Sequence, residues 1–77
     1  MLFRSIDAKI ARLTRRQREV ASLLARGLTN EEIRQKLGVT LTTVKIHVSR
    51  ALKVLGVSNR VQAAIMLRGS SEFRTDD

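Results

Sequence analysis

The side chains that could do chemistry are concentrated between Thr40 and Leu55. Placed on a helix at about 100° per residue, one side of this stretch carries donors and cations and no carboxylate. That side consists of Thr42, Ile46, Ser49, Arg50 and Lys53, with Lys45 and His47 at its edges. The opposite side is an apolar stripe typical of a core-facing helix, made of Leu41, Val44, Val48, Ala51, Leu52 and Leu55. In a chain of net charge +8, such a helix is suited to an anionic groove.

The same residue types argue against catalysis and metal binding. His47 is the one histidine of the sequence and there is no cysteine, so the chain lacks a ligand set for zinc and any disulfide. Glu31 and Glu32 form a carboxylate pair, but they fall in the first turn of a predicted helix, where capping and the helix dipole explain them. Neither a phosphate-binding glycine loop nor a catalytic triad pattern occurs. We expect no enzyme activity, no catalytic residue, no metal and no cofactor.

Composition narrows the class of partner. Fifteen lysines and arginines against seven aspartates and glutamates imply attraction to phosphate or to an anionic membrane surface, unless the charge is merely solvated. No apolar run approaches the roughly 18 residues of a membrane span and no signal-peptide pattern opens the chain. We therefore expect a cytoplasmic protein with no membrane partner. Two phenylalanines without tyrosine or tryptophan offer no stacking platform, which disfavours RNA and single strands.

Two helices are predicted before this stretch, at about residues 15–26 and 30–37. Each begins at a capping box, in which a threonine is followed three residues later by glutamine or glutamate; the pairs are Thr14 with Gln17 and Thr29 with Glu32. A glycine ends each of them, at Gly27 and Gly38. The 77-residue chain is thus predicted to be one small helical domain.

A tight turn joins the second of these helices to the basic helix, predicted at about residues 41–55. Only Gly38, Val39 and Thr40 separate the two. Thr40 is suited to cap the basic helix, and Val39 with Val44 forms a hydrophobic staple across its start. A three-residue turn containing glycine is typical of a helix-turn-helix, whose second helix enters the major groove of DNA.

The last predicted helix spans about residues 59–68, is capped by Ser58 and is apolar on two sides. One side carries Val61, Ala64 and Ile65, and the other carries Ala63, Met66 and Leu67. A short helix of this kind needs two partners. We assign one to the domain's own core and the other to a second copy of the chain, through a dimer interface at Ala63, Met66 and Leu67. The alternative is that the domain covers both sides itself.

The two ends differ from the middle. Residues 1–12 have apolar positions at helical spacing, which predicts a short amphipathic helix or the end of a linker. Residues 69–77 are polar and are expected to be disordered. The domain itself is placed at residues 13–68.

Over residues 13–67 the chain resembles the LuxR-type DNA-binding domain, the output domain of many bacterial response regulators and quorum-sensing regulators. The resemblance rests on spaced motifs in the expected order, among them Leu13-Thr14, Gly27-Leu28-Thr29-Asn30, Leu37-Gly38-Val39-Thr40, Thr43-Val44-Lys45 and Leu55-Gly56-Val57-Ser58-Asn59-Arg60. It implies an all-α, four-helix domain whose middle two helices form the helix-turn-helix and whose fourth helix supplies the dimer contact.

Carried over by position, the resemblance implies two sets of DNA contacts. The residues matching the base-reading positions are Lys45, Ile46 and Ser49. Those matching phosphate contacts are Thr29, Asn30, Thr42, Thr43, His47, Arg50 and Lys53. Independently of the resemblance, Lys45 can donate to guanine, and an exposed Ile46 is suited to a thymine methyl group. Ser49 is shorter than the residue often found at its position.

The leading hypothesis is therefore a transcription regulator that binds double-stranded DNA as a dimer. One alternative is the promoter-reading helix-turn-helix of sigma factors, which carries strings similar to Ser49-Arg50-Ala51-Leu52. Another is a protein-interaction module that docks RNA polymerase or another acidic partner. Similar domains are often controlled by an upstream receiver or ligand-binding domain, which would be a further partner.

Overall fold

The structure is a computed structural model that describes residues 2–70 and Phe73, with the main chain alone at positions 2–5. This part of the chain contains five α-helices and no strand, which confirms the all-α prediction. The helices are α1 (Leu2–Ala11), α2 (Arg15–Ala25), α3 (Asn30–Leu37), α4 (Leu41–Leu55) and α5 (Arg60–Arg68). The first residues therefore take the helical alternative. Of the tail predicted to be disordered, positions 71–72 and 74–77 lie outside the described residues.

The local signals in the sequence set where the helices begin. Thr14 accepts a hydrogen bond from the Gln17 N–H at 3.2 Å, and Thr29 accepts one from the Glu32 N–H at 3.1 Å. In each box the side chain at the third position accepts from the threonine N–H in return. These reciprocal bonds satisfy N–H groups that have no partner within the helix. The cap of α5 is Asn59 rather than Ser58, since the Asn59 side chain accepts from the Gln62 N–H at 2.9 Å.

The turn between α3 and α4 has the predicted length and a defined geometry. Gly38 has a φ of 69°, in the left-handed region that residues with a Cβ seldom adopt, and its N–H donates to the Arg34 carbonyl at 2.9 Å. Thr40 then caps α4 by accepting from the Thr43 N–H at 3.2 Å. These two ends fix the direction in which α4 leaves α3.

Two clusters of buried side chains make up the core. One lies under the helix-turn-helix and joins α2 and α3 to the first half of α4; it contains Val20, Leu23, Leu24, Ile33, Val44 and Val48. The other joins α1, α2 and α5 to the second half of α4; it contains Ile10, Leu13, Ala21, Ala25, Ala51, Leu55, Ala63, Leu67 and Phe73. Leu52 packs against both. The inner stripe of α4 thus contributes to both clusters. Leu41 was predicted to belong to this stripe, but it is 37% exposed and lies outside both clusters.

The orientation of α5 is the reverse of the predicted one. Ala63 and Leu67, assigned from the sequence to a dimer interface, are fully buried in the chain's own core, and Met66 is partly buried against it. Val61 and Ile65, on the side assigned to the core, are 64% and 68% exposed. Packing of α5 against α2 through Ala63 and Leu67 explains this arrangement. The predicted interface at these two positions is therefore wrong.

The start of the C-terminal tail is folded, contrary to the prediction. Ser70 is buried; its hydroxyl donates to the Leu67 carbonyl at 2.9 Å and accepts from the Phe73 N–H at 3.3 Å. Phe73 is 7% exposed and belongs to the second core cluster. A single aromatic side chain thus anchors this segment to the domain.

Candidate nucleic-acid interface

The outer face of α4 brings together most of the residues predicted to contact DNA. All three of the predicted base-reading residues are exposed on it, and Ile46 is 43% exposed. They share one shallow depression with three of the predicted phosphate contacts; its lining is Thr42, Lys45, Ile46, Ser49, Arg50 and Lys53. We call this set the outer face of α4.

The electrostatics of this face are uniformly favourable to an anion. None of the 15 residues of α4 is acidic. Within the described part of the chain, none of Lys45, Arg50 and Lys53 forms an ion pair with a carboxylate. These cations therefore lose no intramolecular partner when a phosphate backbone approaches, which favours binding.

Thr43 and His47, also predicted phosphate contacts, are only partly exposed. The Thr43 hydroxyl is 2.9 Å from the Thr40 hydroxyl, so it belongs to the cap of α4. Both residues lie beside the outer face of α4 rather than within the depression. Of the predicted contacts on α4, they are the two that the fold holds closest to the protein interior.

The remaining predicted phosphate contacts, Thr29 and Asn30, lie together at the start of α3. Thr29 is engaged in the capping box. The side-chain oxygen of Asn30 accepts a hydrogen bond from the Arg60 guanidinium, whose second amino group donates to the Leu28 carbonyl at 2.8 Å. Arg60 was part of a motif in the sequence, but it had no assigned role, because its partners lie 30 and 32 residues away.

The two glutamates of α3 are occupied by structural bonds. A hydrogen bond from Arg34 lowers the pKa of Glu31, and the hydrogen bond from the Thr29 main chain lowers the pKa of Glu32. Both carboxylates are thus held in the charged form by neighbours in the same helix start. The positions of their partners agree with capping and a short-range ion pair rather than acid–base chemistry.

The described residues contain no group of three or more histidine, aspartate or glutamate side chains placed to hold a metal ion. No helix in this part of the chain has the length and apolar composition that a membrane span requires.

Comparison with known proteins decides the family. Residues 11–67 match the family model GerE, described as bacterial regulatory proteins of the luxR family. The chain belongs to this family. A LuxR-family assignment confirms the resemblance read from the motifs and disfavours the sigma-factor alternative. The family is one of regulatory proteins and not a class of enzymes.

Several full-length regulators are similar to this LuxR-family chain. The nitrate/nitrite response regulator protein NarL of Escherichia coli strain K12 is 41% identical over 67 residues, 87% of this chain and 31% of NarL. The transcriptional regulatory protein LiaR of Bacillus subtilis is 47% identical over 53 residues, 69% of this chain and 25% of LiaR. The two-component response regulator PprB of Pseudomonas aeruginosa is 45% identical over 56 residues, 73% of this chain and 20% of PprB. The chain thus spans less than a third of each relative's length, and no solved structure matches it.

Proposed function

We propose that this LuxR-family chain binds double-stranded DNA sequence-specifically by placing α4 in the major groove, as the DNA-reading part of a transcription regulator. The observation that carries the proposal is the outer face of α4, where six exposed side chains combine donors, cations and one apolar group with no acid. An α-helix fits the major groove, and these side-chain types match the base edges and phosphates it presents.

The base-reading role is assigned to Lys45, Ile46 and Ser49. Lys45 can donate to the O6 and N7 acceptors of guanine. The Ser49 hydroxyl can bond to a donor or to an acceptor on a base edge. The exposure of Ile46 supports contact with a thymine methyl group, since an isoleucine 43% exposed among polar groups lacks an apolar neighbour on that side. The three lie within two turns of α4 and line the same depression, so we assign them to adjacent base pairs.

The phosphate contacts are proposed to come from two places. On α4 they are Thr42, Thr43, His47, Arg50 and Lys53, and at the start of α3 they are Thr29 and Asn30. At the start of α3, the main-chain N–H groups that the Thr29 cap does not use favour a phosphate, while Glu31 and Glu32 offset the positive end of the helix dipole. Contacts on both sides of the inserted helix would set its register along the groove.

We further propose that two copies bind together through the exposed side of α5. The proposed dimer interface consists of Val61, Ala64 and Ile65, in place of the buried Ala63 and Leu67. Met66, which is partly buried, stays a predicted contact at the edge of this interface. Two large aliphatic side chains one turn apart, 64% and 68% exposed, support a self-complementary apolar contact.

The names of the longer relatives support an upstream receiver domain as a controlling partner. RNA polymerase is proposed as a partner only because the chain belongs to a family of regulatory proteins.

The experiment that tests this function is selection from a randomised double-stranded DNA pool, followed by sequencing, at several salt concentrations. An inverted repeat with half-site centres about 10 bp apart, and affinity that falls steeply with salt, is the expected result. Salt-dependent binding without an enriched sequence would contradict base reading. That result would favour the alternative in which the basic surface docks an acidic protein.

A further inference from the structure

Asn30, at the start of α3, and Arg60, at the start of α5, are joined through their side chains. One amino group of Arg60 donates to the Asn30 side-chain oxygen at 2.5 Å, and the other donates to the Leu28 carbonyl at 2.8 Å. Both residues are partly buried. The planar fork of the guanidinium therefore spans two acceptors on the segment that leads into α3.

The chemistry of this contact fixes which end of the Asn30 amide faces outward. A primary amide has one end that only donates and one end that only accepts, and on its own it can present either. A guanidinium has donors and no acceptor. It must therefore face the amide oxygen, and the NH2 end of Asn30 points away from Arg60. That end has the polarity needed to bond to a phosphate oxygen.

We propose that Arg60 is a positioning residue for DNA binding, which orients Asn30 so that its NH2 group donates to a phosphate at the start of α3. The inference rests on the proposed function, since it requires Asn30 to meet DNA. It goes beyond that function in assigning a role to a residue on α5, the helix that presents the proposed dimer face. Arg60 acts through Asn30 and makes no contact with DNA itself.

Arg68 provides a matched control within the same helix. Its guanidinium donates to the Ala25 carbonyl at 3.0 Å, so it also ties α5 to the end of α2. No amide side chain is involved. Arg60→Met and Arg68→Met each remove one positive charge and one arginine contact while keeping an unbranched side chain, but only the first removes the donor that holds Asn30.

The test measures DNA affinity by fluorescence anisotropy on the selected site, together with thermal unfolding, for the wild-type chain, Arg60→Met, Asn30→Ala, the double variant and Arg68→Met. We expect Arg60→Met and Asn30→Ala each to weaken binding roughly tenfold, the effect of one hydrogen bond to a charged group. The double variant should bind within about twofold of Asn30→Ala alone. Arg68→Met, which loses the same charge, should stay within about twofold of wild type.

A second substitution separates orientation from folding. Asn30→Asp keeps an acceptor for Arg60, so the fold should be retained, but it removes the donor and should weaken DNA binding at least as much as Asn30→Ala. Asn59→Asp makes the same charge change at the cap of α5, where an aspartate still caps, and controls for added charge.

The outcomes that overturn the proposal are distinct from failure of the proposed function. A wild-type chain that binds no DNA overturns both. If the wild type binds, the positioning role alone is overturned by any of three results. The first is that Arg60→Met or Asn30→Asp binds like wild type. The second is that Arg60→Met causes a further loss of more than about twofold in the Asn30→Ala background. The third is that Arg68→Met weakens binding as much as Arg60→Met.

Discussion

Ala63 and Ile65 lie two residues apart on α5 and have opposite environments: Ala63 is fully buried and Ile65 is 68% exposed. Residues at this spacing do not face the same side of a helix. The same short helix therefore contributes one side to the domain core and leaves the other available for a partner. Substitutions on the two sides should have separable effects on folding and on association.

We expect Ile65→Glu to weaken self-association without unfolding the domain. A carboxylate at the centre of a two-fold contact would oppose its own copy, so the dimer constant should fall at least about tenfold. DNA affinity for an inverted repeat should fall with it, while affinity for a single half-site should change little. Sedimentation equilibrium measures the first effect and anisotropy the second. An unchanged monomer–dimer balance would contradict the proposed interface.

Ala63→Glu is the control on the opposite side of α5. A charge at this buried position has no partner in the core cluster around it, so we expect a loss of at least about 3 kcal/mol in the free energy of unfolding. Circular dichroism during thermal unfolding distinguishes the two variants. If Ala63→Glu folded normally and only dissociated the dimer, the buried assignment of this side would be wrong.

Lys45→Ala should reduce specific DNA binding. Loss of a base contact costs about 1–3 kcal/mol and relaxes specificity at one position of the site. Lys36→Ala is the matched control, since Lys36 is an exposed lysine of α3 outside the outer face of α4. A repeat of the DNA selection with each variant is the measurement. Equal losses for the two lysines would indicate a general charge effect.

Ile46→Ser should change which base is preferred more than it changes charge-driven binding. The substitution keeps the net charge and removes the apolar group, so the slope of affinity against salt should stay that of wild type. Discrimination between thymine and uracil at one position of the site should fall, because uracil lacks only the methyl group. Undiminished discrimination would exclude the proposed methyl contact.

The helix boundaries could be predicted because their causes are local. Thr14, Thr29 and Thr40 each cap the following helix by a hydrogen bond from the N–H three residues later. Gly38, between α3 and α4, lies where the turn needs a left-handed φ. Such interactions are complete within one turn of chain. The exposed residues of the outer face of α4 could also be predicted, because the buried stripe on the opposite side of the helix is long and regular.

What could not be predicted depends on contacts distant in sequence. On α5, Ala63 with Leu67 and Val61 with Ile65 are both apolar pairs at the same spacing, and only packing against α2 chooses between them. The role of Arg60 depends on an amide 30 residues earlier. Phe73 is a lone aromatic in a polar segment, and no periodicity signals its burial.

Acid should destabilise the start of α3 through Glu32. Its pKa is lowered in the folded chain by the hydrogen bond from the Thr29 main chain, so the folded state binds fewer protons than the unfolded one. The resulting stabilisation is present above the ordinary glutamate pKa of about 4.3 and is lost as the pH falls through that value and below. Glu32→Gln should keep the capping bond, as Gln17 does in α2, and should lose less stability between pH 6 and 3. Thermal midpoints across this range test it, and an identical acid dependence would contradict it.

Phe73→Ala should destabilise the whole domain, although Phe73 lies beyond the residues that match the family. Phe73 is 7% exposed and packs in the cluster that also holds Ile10 and Leu55. Truncating a buried phenylalanine costs about 3–5 kcal/mol, which for a domain of this size lowers the thermal midpoint by more than about 10 °C. Phe73→Leu should cost less than half as much, because it fills most of the same space. DNA affinity measured well below the midpoint should stay that of wild type, since the outer face of α4 lies on the other side of that helix from this cluster. A midpoint unchanged in Phe73→Ala would mean that the residue does not anchor the tail in solution.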